Sequence, residues 1–329
     1  MKRAGNLIEQ IVKMDNLYLA FYKAQKSKND KEEVQKFRKN LHENIKNLQK
    51  QIQTGEVNVG NYHYFTIFDP KVRLICAADF SERVLHHALM NVCHPYFERN
   101  MIFDTYATRI NKGVYKAIDK ARNGMKNYQY VAKLDVRKYF DSISHEILKG
   151  KLQRIYKDKI LLKIFTQIID SYTVEKGVGL PIGNLTSQYF ANFYLSSIDH
   201  FAKEVLRIPI YVRYMDDILL FENEKNHLKS SVMKLEDKMY KDLCLKLKPI
   251  EIHHCSRGVS FLGYKIYPNK ILLNRNSKKR FKNKMKKYNQ NFDENLWNEK
   301  EYQNHIVPLL AFVQKANTWF LRKKSIFPL

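Results

Sequence analysis

Two adjacent carboxylates, Asp216 and Asp217, interrupt the strand-forming run Ile210-Tyr211-Val212-Arg213-Tyr214-Met215-Asp216-Asp217-Ile218-Leu219-Leu220-Phe221. Tyr211, Val212, Tyr214 and the apolar run from Ile218 to Phe221 favour β structure, and Pro209 marks a boundary before them. The run therefore predicts a β-hairpin with the acids at its tip. Neighbouring like charges repel and raise each other's pKa unless a cation shares them. In a solvated turn that cost is small, whereas between apolar strands a shared divalent metal is the simplest explanation. The metal reading needs a further acid elsewhere in the chain.

A chain of 329 residues, 44% of them hydrophobic, can bury a sizeable core and is long enough for two or three subdomains. Lys and Arg number 58 against 33 Asp and Glu, a net charge of +25, which points to a polyanionic partner. The 21 Tyr and 19 Phe among these bases favour nucleic acid over a membrane surface, since rings stack on bases while cations hold phosphates. No segment approaches the roughly 18 to 20 unbroken apolar residues of a membrane span. Met1-Lys2-Arg3-Ala4-Gly5 has no apolar stretch behind its charges, so the expectation is a cytoplasmic protein. Cys76, Cys93, Cys244 and Cys255 form no Cys-x-x-Cys pair, which argues against a zinc ribbon or a disulfide framework. His253-His254-Cys255 near Cys244 fits no usual zinc-finger spacing.

Ahead of the hairpin, residues 6 to 54 carry helical periodicity through Leu7, Ile11, Leu17, Phe21, Phe37, Leu41, Ile45, Leu48 and Ile52. The pattern then changes to strand, break, strand: Tyr62 to Phe68, Asp69-Pro70, Lys71 to Ile75. On a strand Lys71 and Arg73 share one face, serving either as a lid for a triphosphate or as a charged outer surface. Ser81 reads as the N-cap of a helix that ends near Pro95. Tyr130 to Val136 is an apolar strand that delivers Asp135 at its end, followed by Tyr139, Phe140 and a helix capped by Ser144. Asp135 thus supplies the third acid. Gly177 to Gly183 is a breaker-rich loop opening a long helix with an apolar stripe of Leu185, Tyr189, Phe193, Ile198, Phe201 and Val205. It lacks the lysine and spacing of an ATP-binding P-loop. Phe261-Leu262-Gly263-Tyr264 is a short strand-turn. From Asn274 a predicted helix carries Arg275, Lys278, Lys279, Arg280, Lys282, Lys284, Lys286 and Lys287, a pattern suited to tracking phosphates.

In this order the pieces resemble a reverse transcriptase, and the likeness covers nearly the whole chain. It implies an α+β right-hand polymerase, with N-terminal helices and fingers over 1–110 and a helical thumb over 266–329. Between them lies a palm with an antiparallel sheet over 111–265, which takes a fingers insertion at about 145–178. Asp135 is similar to the family's first catalytic acid, Tyr214-Met215-Asp216-Asp217 to its second motif, and Phe261 to Tyr264 to its primer grip. The resemblance implies that Asp135, Asp216, Asp217 and the main-chain carbonyl of Val136 hold two Mg²⁺, with Mn²⁺ able to substitute. It assigns Lys71, Arg73, Arg109, Tyr139, Phe140, Ile182 and Gly183 to the incoming dNTP. The Phe140 ring would exclude a ribose 2′-hydroxyl, making the product DNA. Ser187, Gln188, Tyr214, Met215, Phe261, Leu262, Gly263, Tyr264, Lys278, Lys279, Arg280 and Lys282 fall to template RNA and cDNA primer.

One departure narrows the resemblance. Most members carry Gln-Gly-x-x-x-Ser-Pro where this chain has Ile182-Gly183-Asn184-Leu185-Thr186-Ser187-Gln188. That stretch resembles the reverse transcriptases of diversity-generating retroelements, found in prokaryotes and their phages. These copy a template-repeat RNA with frequent errors at adenines and work with a small basic pentameric accessory protein. Retron, group II intron and phage-defence enzymes are the alternatives within the family, and an inactive RNA-binding scaffold the alternative outside it.

Overall fold

The computed structural model describes residues 3–69 and 71–326. The N-terminal periodicity resolves into α1 (Ile8–Ile11), α2 (Met14–Ala24), α3 (Glu32–Lys39) and α4 (Leu41–Thr54), with Leu17, Phe21, Val34, Ile45, Leu48 and Ile52 turned inward. Gly55, in the left-handed conformation at φ +70°, ends α4. Strands β1 (Tyr62–Ile67) and β2 (Arg73–Ala78) pair antiparallel from Tyr62↔Ala78 to Ile67↔Arg73. Lys71 therefore lies before the strand that carries Arg73 and does not share a strand face with it. Pro70 of the expected break lies outside the described residues.

Helix α5 (Phe80–Arg99) starts directly after Asp79, so that Ser81 lies inside its first turn and is not its cap, and it runs on through Pro95. An internal proline costs about 3 kcal/mol. Cys93 and Phe97 are buried on either side of it, and at about 1.5 to 3 kcal/mol for each large apolar side chain the packing of this helix offsets that penalty. There follow α6 (Val114–Asn127), β3 (Tyr130–Asp135), a 3-10 turn at Phe140–Ser142, α7 (His145–Ile155) and α8 (Lys159–Asp170). Ser144 caps α7 as its position predicts, its side chain accepting from the Ile147 N–H.

The long helix after the glycine loop is broken into α9 (Leu185–Tyr194), α10 (Ser196–His200) and a π turn at Phe201–Val205. A π turn inserts an extra residue and shifts the helical phase, which is why Val205, expected on the apolar stripe, is 64% exposed. Then come β4 (Ile210–Tyr214), β5 (Asp217–Glu222), α11 (Lys225–Leu243), β6 (Glu251–His254), β7 (Val259–Phe261), β8 (Tyr264–Ile266) and β9 (Ile271–Leu273). Helices α12 (Arg275–Asp293), α13 (Glu299–Gln314) and α14 (Trp319–Ile326) complete the described chain.

The chain forms two compact units. The first comprises the described residues of 1–103, 136–205 and 234–248. Its helices enclose an aromatic core in which Phe97, Tyr156, Phe165 and Phe190 meet edge-on or tilted, with ring centroids 5.3 to 6.3 Å apart. The second comprises the described residues of 104–135, 206–233 and 249–329. It holds an antiparallel sheet in the order β4-β5-β3-β6 and a three-stranded sheet β7-β8-β9. One core joins them to α6, α12 and α13 through Ala117, Val131, Leu219, Phe261, Phe281 and Val313. Gly124 permits this closeness, because a Cβ there would lie 2.6 Å from the Phe221 ring.

Candidate active site

β3 ends on Asp135 and β5 begins on Asp217, and the antiparallel register sets these two residues directly opposite one another. Facing residues in such a pair lie about 4.5 to 5.5 Å apart at Cα. Tyr214 pairs with Asp217, so Met215 and Asp216 form a two-residue hairpin turn. Met215 sits at φ +53°, the left-handed geometry that a tight hairpin demands and that a non-glycine residue seldom adopts. All three acids are half-buried, at or beside the ends of strands whose residues are mostly core.

Arg213 supports the turn and is a residue that sequence reasoning passed over. It is fully buried, and its Nη1 donates to the Met215 carbonyl at 3.1 Å. Its main chain is held as well: the Arg213 N–H donates to Asp104 O at 3.1 Å, and the Tyr106 N–H to Arg213 O at 2.9 Å. Arg109 braces the same segment, its Nη1 donating to Thr105 O at 3.1 Å and Thr105 Oγ1 at 2.7 Å. The available signal was a cation in the middle of an otherwise apolar strand. Burial raises the pKa of the neighbouring Tyr214 phenol.

Among the described residues no group of three or more His, Cys, Asp and Glu is gathered to hold a metal ion. An all-oxygen donor set at Asp135, Asp216 and Asp217 suits Mg²⁺ or Mn²⁺ over zinc.

Several expected contacts are differently placed. Tyr139 is buried and its hydroxyl donates to the Ala191 carbonyl, so its ring belongs to the core, while Phe140 is half-buried at the start of the 3-10 turn. Ser187 is 2% exposed and faces inward, whereas Gln188, one residue on, is exposed. Phe261 and Tyr264 are buried, and only the Leu262-Gly263 turn between them, at φ +48° and +90°, is partly open. Val136 is buried, and the adjoining Arg137 N–H donates to the Lys246 carbonyl at 2.9 Å. Lys278, Lys279 and Lys282 are exposed on α12, with Arg280 half-buried over the Phe312 ring at 5.5 Å.

In the first unit, Ile182 and Gly183 lie along β2, and the Cys76 N–H donates to the Ile182 carbonyl at 2.8 Å. Gly183 has φ +126°, and a Cβ there would meet Ile75 Cγ2 at 2.9 Å, so any other residue would be strained. Asn184, a second residue missed from sequence, holds the same strand through its side chain. Its signal was an amide at a helix N-cap position, which reads as an ordinary cap.

Residues 68–266 match the family described as "Reverse transcriptase (RNA-dependent DNA polymerase)". The chain is similar to the putative COX1/OXI3 intron 1 protein of Saccharomyces cerevisiae, 22% identical over 173 residues that cover 50% of this chain and 21% of that protein. It is also similar to nuclear intron maturase 1, mitochondrial, of Arabidopsis thaliana, 22% identical over 33% of this chain and 17% of the other. This chain thus spans about a fifth of the length of these relatives. Apo telomerase from Candida tropicalis shares the fold, with a TM-score of 0.53 at 14% identity over 86% of this chain and 63% of that one. No described helix is long and apolar enough to cross a membrane. The fold is the α+β right hand with an antiparallel palm sheet, and the chain belongs to the reverse transcriptase family.

Proposed function

We propose that this chain is an RNA-directed DNA polymerase that extends a DNA primer on an RNA template by two-metal nucleotidyl transfer. The observation that carries the reading is Asp135 facing Asp217 across β3 and β5 with Asp216 in the adjoining turn. Asp135, Asp216 and Asp217, with the Val136 carbonyl, would hold two Mg²⁺, which supply activation of the primer 3′-hydroxyl and neutralise the departing pyrophosphate. The primer 3′-hydroxyl gives up its proton to solvent, its oxygen forms a bond to the α-phosphorus, the bond from that phosphorus to the α–β bridging oxygen breaks and pyrophosphate leaves. Lys71, Arg73 and Arg109 neutralise the triphosphate, and Phe140 excludes the ribose 2′-hydroxyl. Primer extension on an RNA template with Mg²⁺ and dNTPs tests this directly. Wild type is expected to extend and Asp216→Ala to be inactive; equal signal from both overturns the assignment.

The finer reading is a reverse transcriptase of a diversity-generating retroelement, copying a template-repeat RNA with errors at adenines beside a small basic pentameric accessory protein. It rests on the stretch from Gly179 to Gln188, in which Ile182 replaces the usual glutamine. Isoleucine cannot make the amide's hydrogen bond near the nucleotide sugar and nascent pair, so a contact that discriminates correct from incorrect pairs by roughly 1 to 2 kcal/mol is lost. Ile182→Gln is therefore expected to lower misincorporation opposite adenine by about five- to thirtyfold. An unchanged error spectrum on sequencing the cDNA sinks this account.

The similarity to intron-encoded proteins favours a second reading, a group II intron-type enzyme. Sequencing cDNA made on RNA templates separates the two. Faithful copying at adenine supports the intron type, and adenine-directed substitution supports the retroelement.

A further inference from the structure

Strand β2 has two edges. One pairs with β1, and along the other run Ile182, Gly183 and Asn184. N–H groups two residues apart on a strand point the same way, and here both find partners on that second edge. The Cys76 N–H donates to the Ile182 carbonyl at 2.8 Å, and the Ala78 N–H donates to Asn184 Oδ1 at 3.1 Å. The second partner is a side chain standing in for the carbonyl that a third strand would supply.

Three features mark this as specific to Asn184. It occupies the N-cap of α9 at φ −95° and ψ 146°, yet makes no side-chain bond to its own helix, forgoing the contact its type and position ordinarily make. It is 2% exposed, and its Nδ2 has no hydrogen-bond partner among the described residues. A buried amide with half its capacity unmet is costly, so a residue kept there only to fill space would be apolar. A Cβ on Gly183 would meet Ile75 Cγ2 at 2.9 Å and the Cys76 carbonyl oxygen at 3.3 Å, which leaves little slack between loop and strand.

We propose that Asn184 is a positioning residue that locks the strand bearing Arg73 to the loop bearing Ile182, so that nucleotide binding and base-pair selection act as one rigid element. This rests on the roles assigned above to Arg73 and Ile182. The lock itself is defined by the Ala78 amide, which can be followed apart from those roles.

The test uses the full chain on an RNA template and DNA primer, with Asn184→Leu, which keeps the shape without the acceptor, and Asn184→Asp, which keeps the oxygen. Amide exchange followed by NMR is expected to show Ala78 and Cys76 both protected in the wild type. Asn184→Leu should lose about tenfold of the protection at Ala78, the change expected for one ordinary buried hydrogen bond, and retain it at Cys76. The dNTP KM should rise about tenfold and the error frequency should change, with kcat at saturating dNTP within about twofold of wild type. Asn184→Asp should restore all of these.

Fast exchange at Ala78 in the wild type overturns the lock without any variant. So does Asn184→Leu with unaltered exchange and KM, or Asn184→Asp as impaired as Asn184→Leu. If Asn184→Leu does not fold, Asn184→Ala carries the same comparison. Arg73→Ala and Ile182→Gln are run alongside. If they leave KM and the error spectrum unchanged, the roles of those two residues fail, while exchange at Ala78 still judges the lock.

Discussion

Asp135 and Asp217 face each other across a strand pair, with Asp216 in the adjoining turn. Asp135→Asn keeps the shape and removes one of the charges. Primer extension by this variant is expected to fall by about three orders of magnitude or more. Extension by the variant within about tenfold of wild type would remove Asp135 from the active site. His87 offers a pH-dependent counterpart. Burial, with nearby cations adding to it, depresses its pKa to about 4, below the ordinary 6.5. Between those values the unfolded chain binds a proton that the folded one refuses, so stability is lost as pH falls from about 6.5 to 4. His87→Gln should flatten that acid limb in urea unfolding followed across this range. Strand endings and adjacent charges made the three acids legible from residue order. The inward turn of Tyr139 and Ser187 was not legible, because each lies beside a break where periodicity stops reporting which way a side chain faces.

Among the elements, the β1–β2 hairpin has little core of its own. Tyr64, Phe65, Phe68, Val72 and Leu74 are all at least half exposed, and an isolated two-stranded hairpin is marginal in water. Its order comes from its attachments, among them the Tyr62 hydroxyl to Ser171 Oγ at 2.7 Å and the bonds from Cys76 and Ala78. Alternation in the sequence announced this hairpin but misplaced the start of its second strand, because the strand's extent is fixed by its partners at both edges. The same lesson holds for α5, where Pro95 read as a stop and burial carried the helix past it. At the α6–β5 contact, Gly124 leaves no room for a methyl against Phe221. Gly124→Ala is expected to destabilise the protein by about 1 to 3 kcal/mol, measured by denaturant unfolding. A neutral result would mean that the helix moves away without penalty.

For the molecule as a whole, the RNA binding proposed above would depend steeply on salt, given a net charge of +25. Neutralising Lys278, Lys279 and Lys282 together with glutamine should reduce the slope of log affinity against log salt by about 2, since each lost contact to single-stranded nucleic acid removes about 0.7. A slope unchanged in filter-binding titrations would remove α12 from the nucleic-acid surface. The fold class was readable because its motifs come in a fixed order along the chain. The partition into units was not, since it depends on pairings between distant segments, such as β3 with β5 and β6. Each unit is assembled from three separate stretches, and the first unit draws its last stretch from residues 234–248. During synthesis, then, no N-terminal portion can settle into a finished body until that stretch has emerged from the ribosome. Nascent chains must wait with apolar surface uncovered, and a nonsense mutation anywhere before residue 234 leaves both bodies incomplete.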